Sequence, residues 1–268
     1  MLTPAPESFR EKLHTTGAPA TPKPAATIVL LREGADGLEA FLMRRQTSMA
    51  FAAGMYVFPG GGVHKADREE LPWIGPDSAW FAERFHSSVE VAHEMVVAAA
   101  RETFEETGVL LAGPDAHSVV SDTGVYHEAR AALERHEFTF AEFLHAEQLM
   151  LRADLLAPWA HWITPAFEPR RFDTCFFVAL VPEGQQIESV SGEADRSEWV
   201  SLREALRRVE AREAMMMPPT KVVCAELLEE RVDSLAAAAA ARTIRTIQPR
   251  LREIDGKLWL DTGEDPAS

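Results

Sequence analysis

The stretch Arg101-Glu102-Thr103-Phe104-Glu105-Glu106-Thr107-Gly108-Val109 constrains this chain more than any other. At about 100° per residue, Glu102 and Glu106 lie one turn apart on the same side of a helix, and Glu105 lies beside both. Val97, Ala100 and Phe104 fall on the opposite side. A helix over residues 91–107 is therefore expected, with Gly108 as its C-terminal stop. Its apolar side would pack on a sheet and its other side would present three carboxylates. Like charges on one helical turn repel one another. A divalent cation relieves that repulsion, and hard oxygen donors in this number suit Mg²⁺ or Mn²⁺ with waters completing the shell. A solvated acidic face is the ordinary reading of such a cluster. Three features argue for the metal instead: the arginine directly before, the glycine directly after, and Phe58-Pro59-Gly60-Gly61 upstream.

Bulk properties narrow the setting. The 268 residues carry a formal net charge of −15, and nucleic-acid binding depends on Lys and Arg neutralising phosphates. Polymeric DNA and RNA are excluded as expected partners. A small phosphorylated molecule is not, because a metal and a few arginines offset charge locally. No stretch approaches the ~18 apolar residues that span a bilayer, so no membrane partner is expected. Cys175 and Cys224 form no CxxC or zinc pattern and read as buried thiols in a reducing compartment. Residues 1–26, rich in Pro, Ala and Thr, lack the apolar core of a signal peptide and read as a loose leader. The C-terminus is not a peroxisomal address, which leaves the cytoplasm as the expectation.

Along the chain, residues 27–31 and 38–44 are apolar, β-leaning runs split by Glu33-Gly34-Ala35-Asp36-Gly37, a hairpin signal. Tyr56-Val57-Phe58 reads as a strand stopped by Pro59 and the glycines Gly60 to Gly62. Residues 63–90 look like an inserted loop with one short helix, and residues 109–112 like a strand. Two helices are expected over 124–152, strands over 159–164 and 172–181, and a short strand at Trp199-Val200. An amphipathic helix follows over 201–215, then one long helix over 218–241 ending in an alanine run. Residues 243–260 would close with a hairpin around Asp255-Gly256. Strands and helices mix without regular βαβ alternation, which favours an α+β or sandwich-like layered domain over a doubly wound one.

Residues 101–109 (RETFEETGV) resemble the second half of the Nudix box, GX5EX7REUXEEXGU with U apolar, and Phe58 to Gly61 resemble the glycine turn that opens it. The resemblance implies a Nudix-type α/β/α sandwich with a mixed sheet. That would be a single domain over residues 27–268, with helical insertions at 63–90 and 113–154 and added C-terminal helices at 201–241. It implies a divalent-metal-dependent hydrolase that cleaves a diphosphate linkage in a small nucleotide. Glu102 and Glu106 would be direct ligands of Mg²⁺ or Mn²⁺, and Glu105 would bind directly or through water. Arg101 would orient a glutamate, and a backbone carbonyl of the glycine turn, assigned to Gly61, would complete the metal site. Glu193, six residues before Trp199, matches a loop glutamate that binds metal or acts as base in similar proteins, with Glu188 and Glu198 as fallbacks. Glu105 or Glu193 is the expected base.

The first half of the box is broken. Counting back from Arg101 puts His93 where a glutamate belongs, and His93 reads as a packed or capping residue rather than a ligand. The long insertion resembles the subgroup related to the peroxisomal coenzyme A diphosphatases. Gly54 to Gly61 fit the end of the coenzyme A signature, GX3FPGG, and Arg45 fits an earlier arginine, but Gln46 and Ala50 depart from it. Arg45, Phe58, Arg170 and Arg171 are the candidate substrate-binding residues, the last two as a phosphate clamp or as a surface salt-bridge pair. Trp159 and Trp162 read as core. ADP-sugars or dinucleotides are the rival substrates, and a non-catalytic nucleotide sensor is the rival class. A homodimer is left open, with 63–90 and the C-terminal helices as candidate interface.

Overall fold

The computed structural model describes residues 2–5, 7–14, 18–46, 52–187 and 194–263. In chain order its strands and helices are β1 (Leu2–Pro4), β2 (Lys23–Gly34), β3 (Gly37–Arg45), β4 (Tyr56–Val57), β5 (Gly60–Gly62), β6 (Trp73–Ile74), α1 (Ser78–Phe85), α2 (Val89–Thr107) and β7 (Ala112–Gly113). They continue with α3 (His127–Glu134), α4 (Phe140–Ala146), β8 (Met150–Arg152), β9 (Ala157–Ile163), β10 (Phe172–Leu180), β11 (Ala194–Ser201) and α5 (Leu202–Glu210). The last are α6 (Pro218–Leu227), α7 (Leu235–Ala241), β12 (Thr246–Ile247), β13 (Arg250–Ile254) and β14 (Lys257–Asp261).

The main sheet has 8 strands in the order β11-β3-β2-β10-β9-β12, with β4 on β3 and β5 on β2. It is mixed: β10 runs parallel to β2 and antiparallel to β9. Period-2 alternation sends side chains to both faces. From β2, Ala26, Ile28 and Leu30 join one core cluster while Val29 and Leu31 join the other. From β10, Cys175 and Phe177 divide in the same way from Phe176 and Val178. Helices α1 to α4 contribute to the first cluster and α5 to α7 to the second. A central strand buried on both faces should be almost continuously apolar, as residues 27–31 and 174–180 are. The architecture is the expected α+β, three-layer arrangement. Trp159 and Trp162 are core side chains, as expected.

Several expectations are corrected. The glycines after Pro59 do not merely stop a strand, because Gly60–Gly62 forms β5, paired antiparallel with Ala25–Thr27. Strands β2 and β3 pair only from Leu31 and Ala40 to the turn. Beyond that they diverge, and β4-Phe58-Pro59-β5 fills the fork. Residues 109–111 are fully buried but only Ala112–Gly113 ladders. The single helix expected over 218–241 is two. Between them the Arg231 N–H donates to Ser234 Oγ, and Ser234 Oγ bonds to Glu230. Such local side-chain bonds offer the backbone an alternative to the helix. Residues 1–26 are not uniformly loose. β1 pairs with β14 of the C-terminal hairpin, and a 3-10 helix spans Glu7–His14. Composition does not encode such a pairing across the whole chain length. The hairpin itself turns at Asp255 and Gly256, with φ of 50° and 72°, the geometry that makes Asp-Gly a hairpin signal.

Phe104 is fully buried and stacks on Phe143 of α4, centroids 5.3 Å apart. It ties the acidic helix to the 113–154 insertion. Truncation to Ala removes a packed aromatic from a site that can only partly collapse. Phe104→Ala should cost roughly 3–5 kcal/mol in urea unfolding, and a loss under about 1 kcal/mol would contradict the packing described.

Candidate active site

Helix α2 begins at Ser88, whose hydroxyl accepts from the Val91 N–H, and ends at Gly108 in the left-handed conformation (φ 76°). Val97, Ala100 and Phe104 are buried in the first core cluster. The face carrying Arg101, Glu102, Glu105 and Glu106 is largely closed to solvent, with Glu102 half-buried. It turns onto β5 and the segment after it, leaving Arg101 4%, Glu105 7% and Glu106 8% exposed.

Glu106 Oε2 accepts the Gly60 N–H at 2.7 Å. Gly60 has φ 149°, and a Cβ there would collide with the Ala26 carbonyl, so only glycine allows this approach to β2. Gly61 faces the Glu102 carboxylate, which occupies the space a side chain would need. The two glycines therefore have different tasks, one in backbone conformation and one in leaving room for an acid.

Arg101 joins these parts. Its Nη1 donates to Glu102 Oε1 (2.9 Å) and Glu105 Oε2 (3.1 Å). Its Nε and Nη2 meet the two oxygens of Asp67 at 2.8 and 3.0 Å, and Nη2 also reaches the Gly62 carbonyl at 3.1 Å. A guanidinium has five N–H donors, and all are used. Burial works against this charge, yet Asp67, Glu102 and Glu105 outweigh it and hold the guanidinium above its ordinary pKa. A second buried guanidinium, Arg130 of α3, donates from Nε to the Glu105 carbonyl at 2.9 Å. Neither Asp67 nor Arg130 is marked by the sequence. The one signal was a box with His93 where a glutamate belongs, and an insertion rich in acids.

Burial pushes the Glu105 carboxyl up to about 7; Arg101 opposes this and Glu102 adds to it. Its Oε1 is buried and has no hydrogen-bond partner, a costly state for a carboxylate. Among the described residues no three carboxylate, imidazole or thiol groups already surround one point as a finished cage. The acids are instead held by Arg101 and the Gly60 N–H. The donor set still fits Mg²⁺ or Mn²⁺, which take few carboxylates and keep several waters, and the unpartnered Glu105 oxygen is one such donor. The carbonyl assigned to Gly61 needs correction. Bonds from Ile28 N–H to Pro59 and from Val63 N–H to Pro24 bracket the pair Ala26–Gly61. That spacing makes it a hydrogen-bonded pair and turns the Gly61 carbonyl onto β2. The Gly60 carbonyl shares the side of Gly62, facing α2.

Other expected site residues lie elsewhere. Phe58 is 3% exposed in the second core cluster, so it supports the turn rather than facing a ligand. Arg171 is buried, with Nε on the Thr164 carbonyl and Nη1 on that of Ala20. It braces the start of β10 and does not form a clamp with the exposed Arg170. Arg45 ends β3, its main chain pairing with Gly54 and Met55. His93 stacks on Trp73 and bonds with Ser78 and the Glu69 carbonyl, the packed role expected. Glu198 binds the Tyr56 hydroxyl and Arg208. Glu188 and Glu193 lie outside the described residues.

The family model for the NUDT19 Nudix domain matches residues 75–225, more than half of the chain. The chain belongs to the Nudix family. Among curated proteins it is similar to the acyl-coenzyme A diphosphatase NUDT19 of Xenopus laevis, 25% identical over 217 residues, covering 68% of this chain and 57% of that protein. It is also similar to the human protein of that name, 25% identical over 260 residues, covering 81% and 68%. The chain thus spans between just over half and two thirds of these relatives. Among solved structures, a NUDIX hydrolase from Alicyclobacillus acidocaldarius superposes with a TM-score of 0.69 at 26% identity, covering 84% of this chain and 98% of that one. No helix among the described residues is long and apolar enough to cross a membrane.

A carboxyl that titrates near 7 must lose its proton to ligate a metal. Mn²⁺ affinity should therefore rise with pH up to about 7 and level off above it. Proton release on binding, read by calorimetry in two buffers, should be seen below that pH and be absent in Glu105→Gln. Affinity that is flat from about pH 5.5 to 8.5 would contradict the assignment.

Proposed function

We propose that this chain is a cytoplasmic, divalent-metal-dependent Nudix hydrolase that cleaves the diphosphate linkage of a nucleoside diphosphate derivative, with coenzyme A or acyl-coenzyme A as the leading substrates. The observation that carries the reading is the turn of three glutamates on α2 closed against β5, with an unpartnered Glu105 oxygen in the closure. The substrate class rests on the GX3FPGG run at Gly54 to Gly61 and on the acyl-coenzyme A diphosphatases to which the chain is similar. The missing half of the signature, at Gln46 and Ala50, keeps ADP-sugars and dinucleotides as the rival substrates. Retention of all three glutamates favours an enzyme over a sensor.

Glu102 and Glu106 would hold Mg²⁺ or Mn²⁺, with Glu105 and the Gly60 carbonyl beside them. Bound there, the cation supplies a lower pKa for the attacking water and neutralises charge on the phosphoryl oxygens. The residues of the chain do the rest. Arg101 fixes the carboxylates, and Glu105, or Glu193, accepts the proton of the water that attacks phosphorus. The P–O–P bridge breaks, water is consumed, and two phosphate monoesters leave. From coenzyme A these are 3′,5′-ADP and a phosphopantetheine. Arg170, exposed before β10, and Arg45 are the remaining candidates for contacting substrate phosphate.

The test is product chromatography with Mg²⁺ or Mn²⁺ over coenzyme A, acyl-coenzyme A, NADH, ADP-ribose and nucleoside triphosphates. One panel member should be cleaved in a metal-dependent way, and Glu106→Gln should lose about 10²-fold or more of that rate. Turnover that survives Glu106→Gln unchanged would remove α2 from the chemistry. Cleavage of ADP-ribose but not coenzyme A would replace the substrate class.

A further inference from the structure

We infer that Asp67, a residue of the 63–90 insertion and outside the matched span 75–225, is the positioning carboxylate of this active site and takes the place of the one the box lacks. The inference rests on the metal-dependent reading above.

Asp67 is 1% exposed, the most buried acid of the described residues. A carboxylate so placed must be fully paired, and its partners are specific. Both oxygens grip Arg101, through Nε and Nη2, in a two-point fork that fixes the plane of the guanidinium. Oδ2 also accepts the His64 N–H at 2.7 Å, closing the 3-10 turn Lys65–Arg68 around the acid. With its plane fixed, Arg101 directs Nη1 at Glu102 and Glu105 and the second Nη2 hydrogen at the Gly62 carbonyl. The placement of two metal-holding acids therefore depends on a residue 34 positions before Arg101.

The residue at the vacant box position does not do this. His93, where the box places its glutamate, is already helical and stacks on Trp73. It stands eight residues from Arg101, about 12 Å along the helix axis. The insertion is tied to that region as well. Arg68 pairs with Glu94 at 2.7 Å and the Glu69 carbonyl bonds His93. These outer ties place the segment, and Asp67 alone reaches the arginine of the acidic face.

Partners of this kind, when removed, weaken metal affinity or activity about 10–100-fold. The experiment is Mn²⁺ binding to the full chain, by titration calorimetry and paramagnetic resonance, with thermal midpoints measured alongside. Asp67→Asn should bind Mn²⁺ at least about 10-fold more weakly. Asp67→Glu, which keeps the charge, should recover most of that loss. Adding Asp67→Asn to Arg101→Gln should cost nothing further, because the two act as one unit. Arg68→Ala, which cuts an outer tie only, should bind as wild type does. Equal Mn²⁺ affinity in wild type and Asp67→Asn overturns this inference and leaves the hydrolase reading standing, as does an additive loss in the double variant. A wild-type chain that binds no Mn²⁺ overturns both.

Discussion

Everything around the acidic helix depends on one buried guanidinium with no donor to spare. Taking charges out of water costs several kcal/mol per ion unless each is paired and hydrogen-bonded. Arg101 meets that condition for itself and largely for Asp67, but only in part for Glu105, which keeps one oxygen unpaired. Carboxylates outnumber the guanidinium they surround. The closure is thus held together by Arg101 while one Glu105 oxygen is left without a partner.

The sheet explains how these charges meet a glycine turn. Because β2 and β3 diverge after the first few pairs, the chain can re-enter between them as β4 and β5. That wedge brings the Gly60 N–H beneath Glu106 and leaves Gly61 open for Glu102. A side chain at Gly60 would collide with β2, and one at Gly61 would displace an acid. Phe58, buried on the far face, anchors the wedge from behind.

Much of this was legible because it is local and periodic. The extent of α2, its stop at Gly108, its apolar face and the Asp255-Gly256 turn are encoded within a few residues of themselves. What sequence reasoning missed depends on contacts between distant segments. Asp67 and Arg130 look like ordinary members of polar runs until the fold brings them against Arg101 and Glu105. Arg170 and Arg171 look alike in sequence, yet one is exposed and the other is buried against carbonyls of residues 20 and 164. Gly60 and Gly61 are chemically identical, and only ladder register tells which carbonyl faces α2.

The insertion that carries Asp67 also contributes to the core. Helix α2 already runs from Val89, well before Arg101. Ala92, Met95 and Val96 join the first core cluster with Phe81 and Phe85 of α1. The insertion then has two connected roles. Its 3-10 turn carries the acid that grips Arg101, and its helix α1 packs on the apolar side of α2. Residues 63–90 therefore meet both the acidic face and the apolar face of α2.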